Sequence, residues 1–239
     1  MSCASTSVPE RKKRSILHTK IGTSLLTKGQ LPQALGELLQ AIDLDPNNAV
    51  AHNNIALVYL LREKYILSEE HLQKAVTLDP KYTEARNNLG RVLIERKKYK
   101  EAIQQLKTAA DDLTYATPEK VYDNLGLAYY RAKQLKEALN ATEHALKVQR
   151  NRCSSLNLYG RIQYDLKKYK LASTTFDQAI ENCEKKLYAE PHYFAGLSYM
   201  MIGQNSLAKS RFEEVIKLFP SSEYSPKARL ALRELNKGF

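Results

Sequence analysis

A small residue returns along this chain at Gly22, Ala56, Gly90, Gly126, Gly160 and Gly196, at spacings of 34, 34, 36, 34 and 36 residues. Two further ladders keep the same register. Ala34, Ser68, Ala102, Ala138, Ala172 and Ala208 follow twelve positions later, and Ala41, Ala75, Ala109, Ala145, Ala179 and Val215 seven beyond those. Between them runs a bulky rung: Leu38, Leu72, Leu106, Thr142, Phe176 and Phe212. Ladders in register at one period describe a structural repeat. A repeating chain does not gather one central core; each unit buries its apolar face against its neighbours.

A turn recurs as Lys28-Gly29-Gln30-Leu31, Glu63-Lys64-Tyr65, Lys97-Lys98-Tyr99, Lys133-Gln134-Leu135 and Lys167-Lys168-Tyr169. Pro46, Pro80 and Pro220 close units, because proline cannot continue a helix. Small residues at fixed points let two antiparallel helices approach, and the large rungs fill the remaining space. The expected fold is all-α: an α-α superhelix (solenoid) of six helical hairpins plus a C-terminal capping helix. This framework resembles the tetratricopeptide repeat. In that register the units are 15–48, 49–82, 83–116, 119–152, 153–186 and 189–222, with two-residue insertions at 117–118 and 187–188. The position where a large aromatic is usual holds His18, His52, Arg86, Tyr122, Leu156 and His192, and Arg150 and Glu184 replace the closing proline in repeats four and five.

Residues 223–239 read as the capping helix, with Leu230, Leu232 and Leu235 packing on repeat six and Arg229, Arg233 and Glu234 facing water. Residues 1–14 read as a flexible N-terminal arm.

The chain offers no recognisable catalytic constellation. It has no Gly-rich phosphate loop, no HExxH and no GxSxG, and its five histidines lack metal-ligand spacing. Its longest apolar run, Ile55 to Leu61, is too short to cross a membrane. The reading is non-catalytic, with no cofactor, no metal and no small-molecule substrate. The net charge of +11 suits an anionic partner or surface. Much of it sits in knots such as Arg11 to Arg14, Arg96 to Lys98, Lys167-Lys168 and Lys185-Lys186, which most often form solvated faces. Exposed aromatics interleaved with the basic residues, as nucleic-acid readers carry them, are not evident, so nucleic acid is not expected.

First helices of such hairpins carry the binding face. Asn53-Asn54, Asn87-Asn88, Asp123-Asn124 and Asn157 form an amide-rich ladder there, able to pair with the backbone of a partner polypeptide. Beside it runs an apolar rung, Leu26, Leu60, Ile94, Tyr130, Tyr164 and Met200, supplemented by Leu57, Leu127 and Leu197. Helix-in-groove and extended-strand recognition are both open. The alternative reading has the asparagines satisfying loops between units and the leucines in the core.

Cys153 and Cys183 begin and end the fifth hairpin, where a bridge is geometrically allowed; two buried thiols are the alternative. A persistent disulfide implies an oxidising compartment. Cys3, between Ser2 and Ala4 in a Ser/Thr-rich arm, reads like the lipidated mature end of a bacterial lipoprotein, which would anchor the chain without a spanning helix.

Leu113-Thr114-Tyr115-Ala116-Thr117-Pro118, followed by Val121-Tyr122-Asp123-Asn124-Leu125-Gly126-Leu127, is similar to the six-repeat lipoproteins of type IV pilus biogenesis, the pilotins of outer-membrane secretins. The resemblance implies no enzymatic activity and a lipid anchor at Cys3 on the periplasmic face of the outer membrane. It also implies a secretin subunit as partner, brought to its place and helped to oligomerise, and groove residues at Leu26, Leu57 and Leu60. The competing expectation is a cytosolic scaffold or co-chaperone in which all three cysteines stay reduced.

Overall fold

The computed structural model describes residues 7–183 and 189–237, which form thirteen α-helices and no strand. Cys3, the Lys185-Lys186 knot and the insertion at 187–188 lie outside the described residues. The chain divides into two compact units, residues 1–116 and 117–239.

The first unit holds three antiparallel hairpins: α1 (Val8–Thr27) with α2 (Leu31–Leu44), α3 (Ala49–Leu61) with α4 (Tyr65–Leu78), and α5 (Thr83–Glu95) with α6 (Tyr99–Ala110). Each second helix also packs on the next first helix, and first helices lie side by side, α1 against α3 and α3 against α5. The second unit repeats the plan with α7 (Pro118–Arg131), α8 (Leu135–Val148), α9 (Cys153–Asp165), α10 (Tyr169–Asn182), α11 (Ala189–Met201) and α12 (Asn205–Leu218). It adds α13 (Tyr224–Lys237).

The sequence ladders form the core of these hairpins. Leu38, Leu72, Leu106, Thr142, Phe176 and Phe212 are all fully buried. Five of the six rungs lie against the glycine of their partner helix. A Cβ built on Gly160 would stand 2.6 Å from Phe176 Cε1, and one on Gly22 2.6 Å from Leu38 Cγ, so only hydrogen leaves room for the rung. Burying each leucine or phenylalanine rung contributes about 1.5–3 kcal/mol.

Every hairpin turn uses one left-handed residue at the same repeat position: Gly29, Glu63, Lys97, Lys133, Lys167 and Gly203, with φ between 56° and 74°. There the chain reverses onto its own helix end. Glu63 N–H donates to the Leu60 carbonyl at 3.0 Å and Lys64 N–H to that of Tyr59 at 2.8 Å, satisfying carbonyls that the helix leaves open. The fourth residue of each unit then braces the hairpin. His18 Nδ1 meets Glu37 Oε2 at 2.7 Å, Arg86 Nη1 donates to Gln105 Oε1 at 2.9 Å, Tyr122 stacks on His144, and His192 Nδ1 meets Glu214 Oε2 at 2.8 Å.

Two expectations about the ends need correcting. Residues 8–14 are not an arm but the opening turns of α1. Pro9 suits a helix start, Glu10 complements its positive end, Arg11 Nη2 donates to the Asp43 carbonyl and Ser15 Oγ to that of Ala41. At the other end α13 caps α12, but Leu230 is 59% exposed. Ala228, Ala231, Leu232 and Leu235 make the contact, because their spacing of three and four keeps one helical face and Leu230 falls off it.

Candidate functional site

Within each unit, consecutive first helices lie side by side and build a shared face. On α3 it carries Val50, Asn54, Leu57 and Leu61, spaced by three or four so that they share one side. Ile16, Lys20 and Thr23 of α1 and Glu84, Asn88 and Arg91 of α5 occupy the same positions.

The expected amide ladder is there, but it turns inward. Asn54 Nδ2 donates to Thr23 Oγ1 at 2.7 Å, Asn53 Nδ2 to Asn54 Oδ1 at 3.0 Å, and Asn88 Nδ2 to Asn53 Oδ1 at 2.9 Å. All three asparagines are buried, and the chain of amides runs from α1 through α3 to α5. These groups bind neighbouring helices to one another rather than waiting for a partner's backbone. Asn87 is buried as well, and Leu60 and Ile94 belong to the core. Thr23 is a member of this chain that the sequence reading left out; its signal was a polar residue 31 positions before Asn54, on the adjoining first helix.

On this face the first unit leaves a group of apolar side chains accessible beside the exposed Glu84. Val50 and Leu61 are 46% and 58% exposed, Ile16 is exposed and Leu57 half-buried. Lys20 and Arg91 flank them, both exposed.

In the second unit Asp123 is also taken up internally. It accepts from Ser154 Oγ at 2.7 Å and from Ser155 Oγ and Arg152 Nε, which ties α7 to the start of α9. Asn124, half-buried, has interactions of its own. Beyond them an aromatic and arginine strip crosses α7, α9 and α11. Arg161 lies 3.9 Å from the centre of the Phe194 ring, donates to Tyr130 Oη at 3.1 Å and pairs with Glu190. Asn157 Nδ2 donates to Glu190 Oε2 at 3.0 Å, Tyr130 Oη to Asp165 Oδ2 at 2.7 Å, and Tyr164 meets Phe194 edge-on. Burial opposes the Arg161 charge, but Tyr130 and Glu190 outweigh it and hold its pKa above the ordinary value. Burial foremost pushes Tyr130 and Tyr164 up. Arg161 and Phe194 were not singled out by sequence; an arginine and an aromatic one helix apart carry no spacing signal.

Cys153 and Cys183 are disulfide-bonded, with S–S 2.09 Å and Cα–Cα 5.7 Å. The bond clips the start of α9 to the end of α10 in a repeat that lacks the closing proline. No helix among the described residues is long and apolar enough to cross a membrane.

Helical hairpins stacked in this register, with small residues under large rungs and an exposed face on the first helices, define a repeat protein of the polypeptide-binding kind. Repeat models described as "TPR repeat" and "Tetratricopeptide repeat" match residues 22–61, 47–113, 120–155, 154–186 and 195–222. The chain belongs to the tetratricopeptide-repeat family. It is 31% identical over 160 residues to "Type IV pilus assembly protein PilF" of Pseudomonas aeruginosa; the match covers 67% of this chain and 64% of that protein's length. A solved structure titled "Functional Characterization of Pseudomonas Aeruginosa pilF" superposes with a TM-score of 0.81 at 25% identity, covering 92% of this chain and 99% of that one. "PilW, widely conserved type IV pilus biogenesis factor" shares the fold, with a TM-score of 0.82 at 20% identity over 91% and 98% of the two chains.

Proposed function

We propose that this chain is a non-catalytic binding array of a type IV pilus machine. In this reading it is an outer-membrane lipoprotein, anchored at Cys3 and facing the periplasm, that captures a secretin subunit and promotes its localisation and oligomerisation. The observation that carries the binding role is the row of Ile16, Val50, Leu57 and Leu61 on the first-helix face of the first unit, apolar and partly open to water between Lys20 and Arg91. A row of this kind, rimmed by polar groups, suits an apolar helix or strand of a partner. The relative named for type IV pilus assembly supplies the machine. The Cys153–Cys183 bridge suits the oxidising compartment. In the second unit the half-buried Asn124, Tyr130, Asn157 and Tyr164 stay candidates for partner contact.

Holding an unassembled apolar segment in such a row would keep it from aggregating until other copies arrive. Pull-down of the secretin subunit tests this with Leu57→Asp and Val50→Asp, chosen because neither side chain belongs to the buried core. Capture is expected to fall at least tenfold with unchanged helical circular dichroism. Undiminished capture by both variants removes the assignment. Metabolic labelling with a fatty acid tests the anchor separately: the chain is expected to take up label and Cys3→Ser none, and equal labelling of the two overturns lipidation at Cys3.

A further inference from the structure

The charge of this chain is concentrated in a way that partner capture does not explain. The six hairpin turns, residues 27–32, 61–66, 95–100, 131–136, 165–170 and 201–206, contain thirteen lysines and arginines and three carboxylates. That is a net +10 out of +11 for the whole chain.

In the second unit these turns share one edge. Tyr130 in the last turn of α7 donates to Asp165 at the end of α9, and Arg161 of α9 reaches both Tyr130 and Phe194 of α11, so the three first helices run alongside one another. On this edge Arg131, Lys133, Lys136, Lys167, Lys168 and Lys170 are all exposed, and none has a salt bridge among the described residues. Asp165, the one carboxylate in these turns, is occupied by the Tyr130 hydroxyl. In the first unit, by contrast, Glu69 already engages Arg96 and Lys98. Leu171, next to Lys170, is 53% exposed, and the adjoining turn at 201–206, which carries no charge, leaves Met201 at 50% and the nearby Leu207 at 46%.

We infer that this turn edge is a docking surface for an anionic lipid bilayer. Lysine and arginine near a negatively charged headgroup layer gain electrostatic attraction that is lost within a Debye length, and neighbouring aliphatic groups enter the headgroup boundary. A protein interface gathers its apolar groups into a central patch within a polar rim. Single-stranded nucleic acid would call for exposed rings on which bases stack. Here the apolar groups are aliphatic and border the cationic turns without forming a central patch, an arrangement that fits a fluid surface. The edge acts whether or not the first-helix face binds a secretin subunit.

Co-sedimentation of the full, unlipidated chain with phosphatidylcholine vesicles, with and without phosphatidylglycerol, tests the inference. Binding is expected only to vesicles containing phosphatidylglycerol, and it is expected to fade as salt is raised. Lys167→Glu, Lys168→Glu and Lys170→Glu together are expected to lower it at least tenfold. Leu171→Gln with Leu207→Gln is expected to lower it without altering the salt dependence. The control combines Lys107→Glu, Lys147→Glu and Lys217→Glu, which removes the same charge elsewhere and is expected to retain binding. Equal binding to both vesicles, loss in the control as large as in the turn variant, or capture of an acidic protein with no vesicle binding would each overturn the assignment.

Discussion

Asn88 donates its side-chain amide to the fully buried Asn53 across a gap of 35 residues in sequence, at 2.9 Å. Asn53 in turn donates to Asn54 within α3, and Asn54 to Thr23, so the chain of side chains links three consecutive repeats. This makes the asparagines a stability element. Removing one end of a buried pair leaves the other unsatisfied, at a cost of about 1–3 kcal/mol. Asn88→Ala is therefore expected to lower urea-unfolding stability by that amount. Leucine in place of Asn53 should be worse, because it leaves two partners, Asn54 and Asn88, unmet. Unchanged midpoints for Asn88→Ala would show that the amide chain carries no stability.

The disulfide makes a second prediction. Cys153 and Cys183 are 30 residues apart, and closing a loop of that size stabilises by about 3–4 kcal/mol in the chain-entropy account. Reduction, or Cys183→Ser, is expected to lower the melting temperature of the second unit while leaving α1 to α6 untouched. The check is a pair of thermal melts with and without reductant, read alongside hydrogen exchange of the two units. A uniform loss of protection in both units would contradict the placement.

The repeat itself was legible because its signal is compositional at fixed spacing: Gly160 must be small only if something as large as Phe176 lies over it. The orientation of the asparagines was not legible for an equally physical reason. Asn53 and Asn54 are successive residues, about 100° apart on the helix, and a ladder repeating every 34 residues looks the same from the solvent side as from the neighbouring helix. Only the reach of Asn88 to Asn53 distinguishes the two. Leu60 and Ile94 share this ambiguity, since an apolar residue at a recurring position describes a groove and a seam equally well. The start of α1 was not legible because proline stands both in irregular chain and in the first turn of a helix, and Pro9 does the second.

The turns give a third prediction, in two opposite signs. Glu63 holds φ at 56°, a conformation that costs a residue with a side chain roughly 1–2 kcal/mol. Glycine there relieves the strain but frees the unfolded chain, which takes back about 0.4–1 kcal/mol. Glu63→Gly is expected to raise the melting temperature by a degree or more, about 2–4 °C for each kcal/mol gained. Gly29→Ala, where φ is 74°, is expected to lower it. Finding the same sign for both variants would dismiss the left-handed turn as the cause.

The last prediction concerns acid. His52 and His71 face each other with their Nδ1 atoms 3.0 Å apart, and His52 Nε2 lies 3.1 Å from the Pro46 carbonyl oxygen. Only one imidazole can donate across the Nδ1 contact, so the pair needs at least one of them neutral there. Burial, and then the charge that His52 would carry, push His71 down to about 4. His52 is also lowered, by burial first and with a smaller push from Lys74, against the opposing effect of the Pro46 carbonyl. In the unfolded chain both titrate near 6.5. A depressed histidine leaves stability whole above pH 6.5 and erodes it as pH falls toward 4, because only the unfolded chain takes up the proton in that window. The protein is expected to be about 1–2 kcal/mol less stable at pH 5 than at pH 7. His71→Gln, which cannot titrate but can still bond to His52, is expected to flatten that slope. Denaturant melts across pH 4.5–7.5 for both proteins would decide it, and an identical slope in the variant would place the acid sensitivity elsewhere.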